Sequence, residues 1–207
     1  MDYKNFFLRS LFSFLFVATY ILICFINFYI VFYLILLLYI LIFFEIYLNF
    51  HKFRIIPIIY IFISLLFFYI LDFNYENFIN FNLFVFIVIT FDSFSYIFGK
   101  IIGANKLIKI SPNKTIEGFF GGFLISIFLS LLLFDNFNYV INRELVLYVF
   151  LIIISAFLGD IIESFFKRKN NLKNSSELIP GHGGIFDRFD SFLLSIICYS
   201  IFSNILI

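Results

Sequence analysis

Long apolar runs, broken by short clusters of charged residues, Asn, Pro or Gly, dominate the chain. A helix crossing the hydrocarbon core of a bilayer needs about 20 apolar residues. Seven runs of this kind lie near 8–26, 28–48, 55–71, 81–98, 118–134, 145–162 and 190–207. The first two are separated only by Asn27. A single helix from Leu11 to Phe44 would be about 50 Å long at 1.5 Å per residue, too long for one crossing, so a tight hairpin at Asn27 is predicted. No cleaved signal peptide is expected, because Lys4 and Arg9 precede an apolar stretch that overshoots an h-region and lacks a small-x-small site. The predicted fold class is all-α: a polytopic integral membrane helix bundle of about seven transmembrane helices, forming one membrane domain over 1–207.

Composition and charge sharpen this picture. Apolar residues make up 63% of the 207 residues, aromatic residues 24% and charged residues 13%, far from the balance of a soluble domain. A net charge of +1 argues against nucleic acid as a partner, and two cysteines are too few for a disulfide-stapled module. Cys24 and Cys198 each lie inside an apolar run and are expected to be free thiols. Seven crossings put the N-terminus and the loops at 49–54, 99–117 and 163–189 on one side. Of the fourteen Lys and Arg residues, only Arg143 falls opposite. By the positive-inside rule the N-terminus is cytoplasmic. The expected topology is therefore multi-pass, with polar chemistry in the two longer cytoplasmic loops.

Acids inside spans are the first candidates for chemistry, because a charge at mid-membrane costs roughly 2.5–3.5 kcal/mol on insertion scales. Asp92 and Asp160 stand out, each near the cytoplasmic end of its span. Asp160, Glu163, Ser164, Lys167 and Arg168 share one helical face if that helix runs past the membrane edge, and Asp92, Ser95, Tyr96, Gly99 and Lys100 repeat the spacing. Both strips run from a deeper acid to a base at the surface. That order suits a divalent cation beneath a polyphosphate whose outer oxygens meet Lys or Arg, and equally an amphipathic helix end with i, i+4 ion pairs. No His and Cys cluster for zinc is present.

Two loops add to this. Pro180-Gly181-His182-Gly183-Gly184 leads through Asp187 and Arg188 to Asp190-Ser191 at the start of the last span. Glycines here permit close approach to a phosphate, and the carboxylates can complete a metal site begun by Asp160. A glycine turn with acids at a helix N-terminus is the plainer account. His182 alone says little. In Ser111-Pro112-Asn113-Lys114-Thr115, Ser111 or Thr115 can cap the next helix and Lys114 can reach a phosphate. Gly118, Gly121 and Gly122 read as close helix packing.

On these residues the sequence resembles the phosphatidate cytidylyltransferase (CDP-diacylglycerol synthase) family. The strongest match runs from Gly159-Asp160 through Ser164, Lys167-Arg168, Lys173 and Pro180–Gly184 to Asp187-Arg188 and Asp190-Ser191. Weaker matches are Asp92-Ser93 with Tyr96 and Gly99-Lys100, and Ser111-Pro112 with Lys114-Thr115 and Glu117-Gly118. The N-terminal spans match only as generic membrane helices, so 81–207 is the expected catalytic region and 1–80 supplies further transmembrane helices. The chain departs from the family pattern at Asn113, Asn174, Phe94 and Ser95, and it is shorter than is typical.

The resemblance implies transfer of CMP from CTP to phosphatidic acid with Mg2+, giving CDP-diacylglycerol and pyrophosphate. K+ is also associated with the family's metal centre. It implies metal ligation by Asp160 and Asp187, with Ser164 and Asp190 filling or orienting the shell. Lys167, Arg168 and His182 are expected among the catalytic residues. Asp92, Tyr96, Lys100, Lys114, Lys173, Gly183, Gly184 and Arg188 are expected to bind substrate. Family members work as dimers, so a homodimer is expected, although no interface is legible. Two other readings stay open: a CTP-using transferase with another lipid acceptor, and a small membrane transporter whose buried acids guide cations.

Overall fold

A computed structural model describes residues 18–24, 27, 29–108, 111, 114–178 and 183–203. Residues 18–24 are helical. Six longer helices come after them: α1 (Tyr29–Asn49), α2 (Ile55–Ile70), α3 (Tyr75–Ile101), α4 (Ile116–Asn136), α5 (Arg143–Lys169) and α6 (Phe186–Phe202). Among the described residues the only extended pairing is an isolated bridge between Lys106 and Thr115. Helices α1, α3, α4 and α5 are long and apolar enough to cross a membrane. The apolar α2 has 16 residues and α6 has 17. The all-helical membrane bundle expected from hydropathy is the fold observed.

The polar clusters between runs act as helix caps. Asn27 Oδ1 accepts the Tyr29 N–H at 2.9 Å, so the break expected there is where α1 begins. Asn74, Thr115 and Asn142 cap α3, α4 and α5, accepting from Asn77 N, Gly118 N and Leu145 N. Such caps are worth about 1 kcal/mol each. Helix α5 runs past its apolar stretch to Lys169, with Asn170 as its C-cap, and its charged turns stand at one end of the bundle.

Several buried hydroxyls inside the helices turn back on their own carbonyls, as in Ser126 to Gly122 O at 2.6 Å and Ser195 to Ser191 O at 2.8 Å, and so are satisfied within the protein. Aromatic rings fill the interior around Phe81, Phe84 and Tyr199. Side chains just as apolar, such as Phe62, Leu124 and Phe128, face outward, as lipid rather than water requires. Cys24 and Cys198 are free.

Small residues set the closest approaches. A Cβ on Gly122 would strike the Ser95 backbone and one on Gly118 the Gly99 Cα, so α3 and α4 meet along Ser95, Gly99, Gly118 and Gly122. Gly159 on α5 does the same against the backbone of Asp190 and Ser191 on α6. That second contact brings the acids of α5 alongside those of α6. The connections α1–α2, α3–α4 and α5–α6 lie at one end: Lys52 N donates to Asn170 Oδ1 at 2.7 Å, and Lys114 reaches Asp160. This is the end that carries the basic loops.

Candidate active site

The α3–α4 connection is held in place by Glu117, in the first turn of α4. Its carboxylate accepts Ala104 N at 3.1 Å and Asn105 Nδ2 at 2.8 Å, while Leu107 N donates to Lys114 O at 2.9 Å. The folded loop aims Lys114 inward. Its ammonium forms an ion pair with Asp160 on α5 and lies 5.2 Å from the centre of the Phe157 ring. Across from Asp160, Asp92 on α3 accepts the Ser191 hydroxyl of α6 at 2.5 Å. Asp190 lies within electrostatic reach of Asp160, Glu163 and Asp92. Two turns further along α5, Lys167 Nζ stands 2.6 Å from Glu163 Oε2 and 2.7 Å from Asp187 Oδ1. Asp187 also accepts Ser175 N at 3.0 Å and Gly184 N at 2.9 Å. Glu163 is fully buried, and its Oε1 meets no hydrogen-bond donor among the described residues.

Glu45, 2% exposed near the end of α1, ties the loop and α6 together. Its Oε2 accepts Ile185 N at 2.9 Å and Phe186 N at 3.1 Å, and its Oε1 accepts the Ser175 hydroxyl. Helix α6 has no capping side chain of its own, because its N-cap position is Ile185. A carboxylate from another helix therefore satisfies its first orphan donors.

The sequence from residue 2 to residue 206 matches the model of the cytidylyltransferase family. The chain belongs to that family. The match extends over the N-terminal helices, which by motif alone looked generic, and Glu45 shows one of them contributing to the polar end. Curated relatives include the phosphatidate cytidylyltransferase of Staphylococcus epidermidis, 48% identical over 119 residues, covering 56% of this chain and 45% of that protein. Those of Staphylococcus aureus strain COL and Staphylococcus haemolyticus are 44% and 41% identical over 147 and 145 residues, each covering 68% of this chain and 54% of the relative. The chain thus spans about half the length of the curated relatives it matches.

Within this member of the family, the structure gathers only part of the expected residue set. Asp92, Asp160, Lys114, Lys167, Asp187 and Asp190 converge from α3, the α3–α4 loop, α5 and α6. Gly184 donates to Asp187, and Gly183 has φ +85°, a conformation that favours glycine. Ser164 is half-buried. Tyr96 is 68% exposed, and Lys100, Lys173 and Arg188 are exposed. Arg168 turns outward and donates to Leu172 O at 2.8 Å. The strip on α3 is accordingly divided: Asp92 faces α6, Ser95 and Gly99 pack on α4, and Tyr96 and Lys100 face out. His182 lies outside the described residues, as does Asn113; Asn174 is exposed.

Asp160 and Asp187 stand at the same end but in separate groups, one paired with Lys114 and the other with Lys167. Among the described residues no three acid, His or Cys side chains close into a metal-binding cluster. The donor chemistry nevertheless fits a hard cation. Glu45, Asp92, Asp160, Glu163, Asp187 and Asp190 gather at this end, where Lys114 and Lys167 form ion pairs with Asp160, Glu163 and Asp187, and every candidate ligand is an oxygen.

Two participants escaped the sequence reading. Glu45 is an acid within a predicted span, so the burial-cost argument that picked out Asp92 and Asp160 would have found it too. Ser175 carried no readable signal, since its role depends on where the loop after α5 folds.

Proposed function

We propose that the chain is a phosphatidate cytidylyltransferase, moving CMP from CTP to phosphatidic acid and releasing pyrophosphate, with its site open to the cytoplasm in a bacterial inner membrane. The names of its relatives support this reading. The observation that carries it is the meeting of Lys114–Asp160 and Lys167–Asp187 around further buried acids at the basic end of the bundle. Neither the other lipid acceptors nor a transporter is favoured by those names. The distribution of basic residues, all but Arg143 on one side, supports a cytoplasmic site.

In this reading Asp160, Asp187 and Asp190, with Ser164, would hold Mg2+, which would supply positive charge to the phosphates and to the departing pyrophosphate. Lys114 and Lys167, each already beside an acid, bind phosphate oxygens and hold the α-phosphorus in line with the attacking oxygen. Phosphatidate is a phosphate monoester, ionised near neutrality, so its oxygen attacks without a general base from the protein. Acyl tails stay in the bilayer, which the outward apolar side chains adjoin, while CTP arrives from water.

The test is the chain purified in detergent with labelled CTP, dioleoyl phosphatidate and Mg2+. Label should become lipid-soluble, and Asp187→Asn should abolish this while the protein keeps its helical circular dichroism. An undiminished rate in that variant would refute the metal assignment, and no product from the unaltered chain with any lipid acceptor would refute the activity.

A further inference from the structure

Helix α2 contributes no residue to the site as the motifs define it, yet one of its polar atoms faces the acids. Its inward stripe is Pro57, Ile61, Ser64 and Phe68. Tyr60 lies beside this stripe, three residues after Pro57 and four before Ser64. Its ring packs 6.0 Å from that of Phe166, the residue before Lys167. The hydroxyl is buried and has no hydrogen-bond partner among the described residues. On the same side of the bundle Tyr39 does have one, pairing with Ser64 at 2.6 Å. Tyr60 also lies within electrostatic reach of Asp190, Asp160 and Glu163, from both helices that build the candidate site, and of Tyr39.

A buried O–H left unpaired is destabilising. Packing on Phe166 needs only the ring, so a phenylalanine would serve that purpose as well. The hydroxyl supplies something different: a neutral donor at the edge of an acid-rich site, able to approach a phosphate oxygen without cancelling the negative charge that holds a cation.

We propose that Tyr60 is a substrate-binding residue whose hydroxyl donates a hydrogen bond to a phosphate oxygen of bound substrate. This rests on the cytidylyltransfer reading above. The donor is shared chemistry for the phosphates of CTP and of phosphatidate, and kinetics separates the two.

The experiment compares Tyr60→Phe with the unaltered chain in detergent, varying CTP and dioleoyl phosphatidate in turn. Tyr148→Phe is the control, because Tyr148 also has a buried hydroxyl without a partner but sits among Tyr139, Cys198 and Tyr199. Tyr60→Phe should lower kcat/KM about 10- to 100-fold, as expected for loss of a hydrogen bond to a charged group. Its melting temperature should be unchanged or higher, and Tyr148→Phe should be fully active. A rise in KM confined to CTP assigns the nucleotide phosphates, and one confined to phosphatidate assigns the lipid phosphate. A Tyr60→Phe rate within twofold of the unaltered chain, or an equal loss in Tyr148→Phe, would overturn the proposal. An unaltered chain with no CTP-dependent product would overturn the activity reading itself, a separate outcome.

Discussion

Removing the Glu45 side chain should loosen the start of α6 and disable the site without touching any residue that meets substrate. Glu45→Ala leaves two backbone N–H groups, those of Ile185 and Phe186, and the Ser175 hydroxyl without their acceptor. A buried donor deprived of its partner costs about 1–3 kcal/mol, but water can enter the space left by the side chain. A net loss of about 3 kcal/mol is therefore expected, near the cost of breaking a buried charged interaction. For a chain of this size each kcal/mol lowers the melting temperature by about 2–4 °C, which gives a drop of roughly 6–12 °C.

The catalytic effect should be larger than the thermal one suggests. Asp187 and Asp190 lie in the first two turns of α6, and misplacement by about 1 Å can cost on the order of 100-fold in rate. Glu45→Gln separates charge from shape, because its amide oxygen still accepts one or two of these bonds, and it should recover part of both losses. The assay is a melting curve of purified protein in detergent beside the labelled-CTP measurement. If Glu45→Ala melts within about 1 °C of the unaltered chain and keeps its full rate, the idea that α1 caps α6 is wrong.

The same geometry predicts two further outcomes. Lys114→Ala removes the partner of Asp160, and KM for CTP should rise about tenfold while the melting temperature changes little, since the pair is part-exposed; an unchanged KM would remove Lys114 from the phosphate site. Gly118→Leu would force the Ser95 and Gly99 backbone of α3 away from α4, costing at least the 1–3 kcal/mol typical of overpacking. It should lower the melting temperature whether or not CTP is present, and a variant as stable as the unaltered chain would show that α3 and α4 meet elsewhere.

Hydropathy made the helices legible because lipid leaves a backbone few alternatives: each crossing must satisfy its own hydrogen bonds, so the apolar runs between polar clusters are helical where they are described. The clusters themselves were legible for a related reason. Asn27, Asn74, Thr115 and Asn142 interrupt apolar runs, and each caps the helix on its C-terminal side. Which face of a helix meets which neighbour was harder to read. On α3 the spacing put Asp92, Tyr96 and Lys100 on one strip, but that strip is wide, and the small residues Ser95 and Gly99 within it gave α4 its closest approach. Packing there turned Asp92 toward α6 and left Tyr96 outside. Apolar periodicity cannot settle this in a membrane, where lipid-facing and buried side chains are alike in character.

The pairing of charges shows the same limit from another side. Helical spacing placed Asp160, Glu163 and Lys167 together on α5, and Glu163 and Lys167 do pair there, but the other partners come from elsewhere: Lys114 from the α3–α4 loop and Asp187 from α6. Each partnership depends on a backbone contact that leaves no charge signature. Gly159 lets α6 come close enough for its acids to stand beside those of α5, and Glu117 folds the loop that delivers Lys114. Glu45 acts over the longest span, reaching Ile185 and Phe186 near the other end of the chain. A buried acid in a bundle of this kind is thus better read as a question about which donor lies opposite than as a ligand in waiting. At Glu45 the donors are the amides that open a helix, and at Asp160 and Asp187 they are lysines within reach of a phosphate.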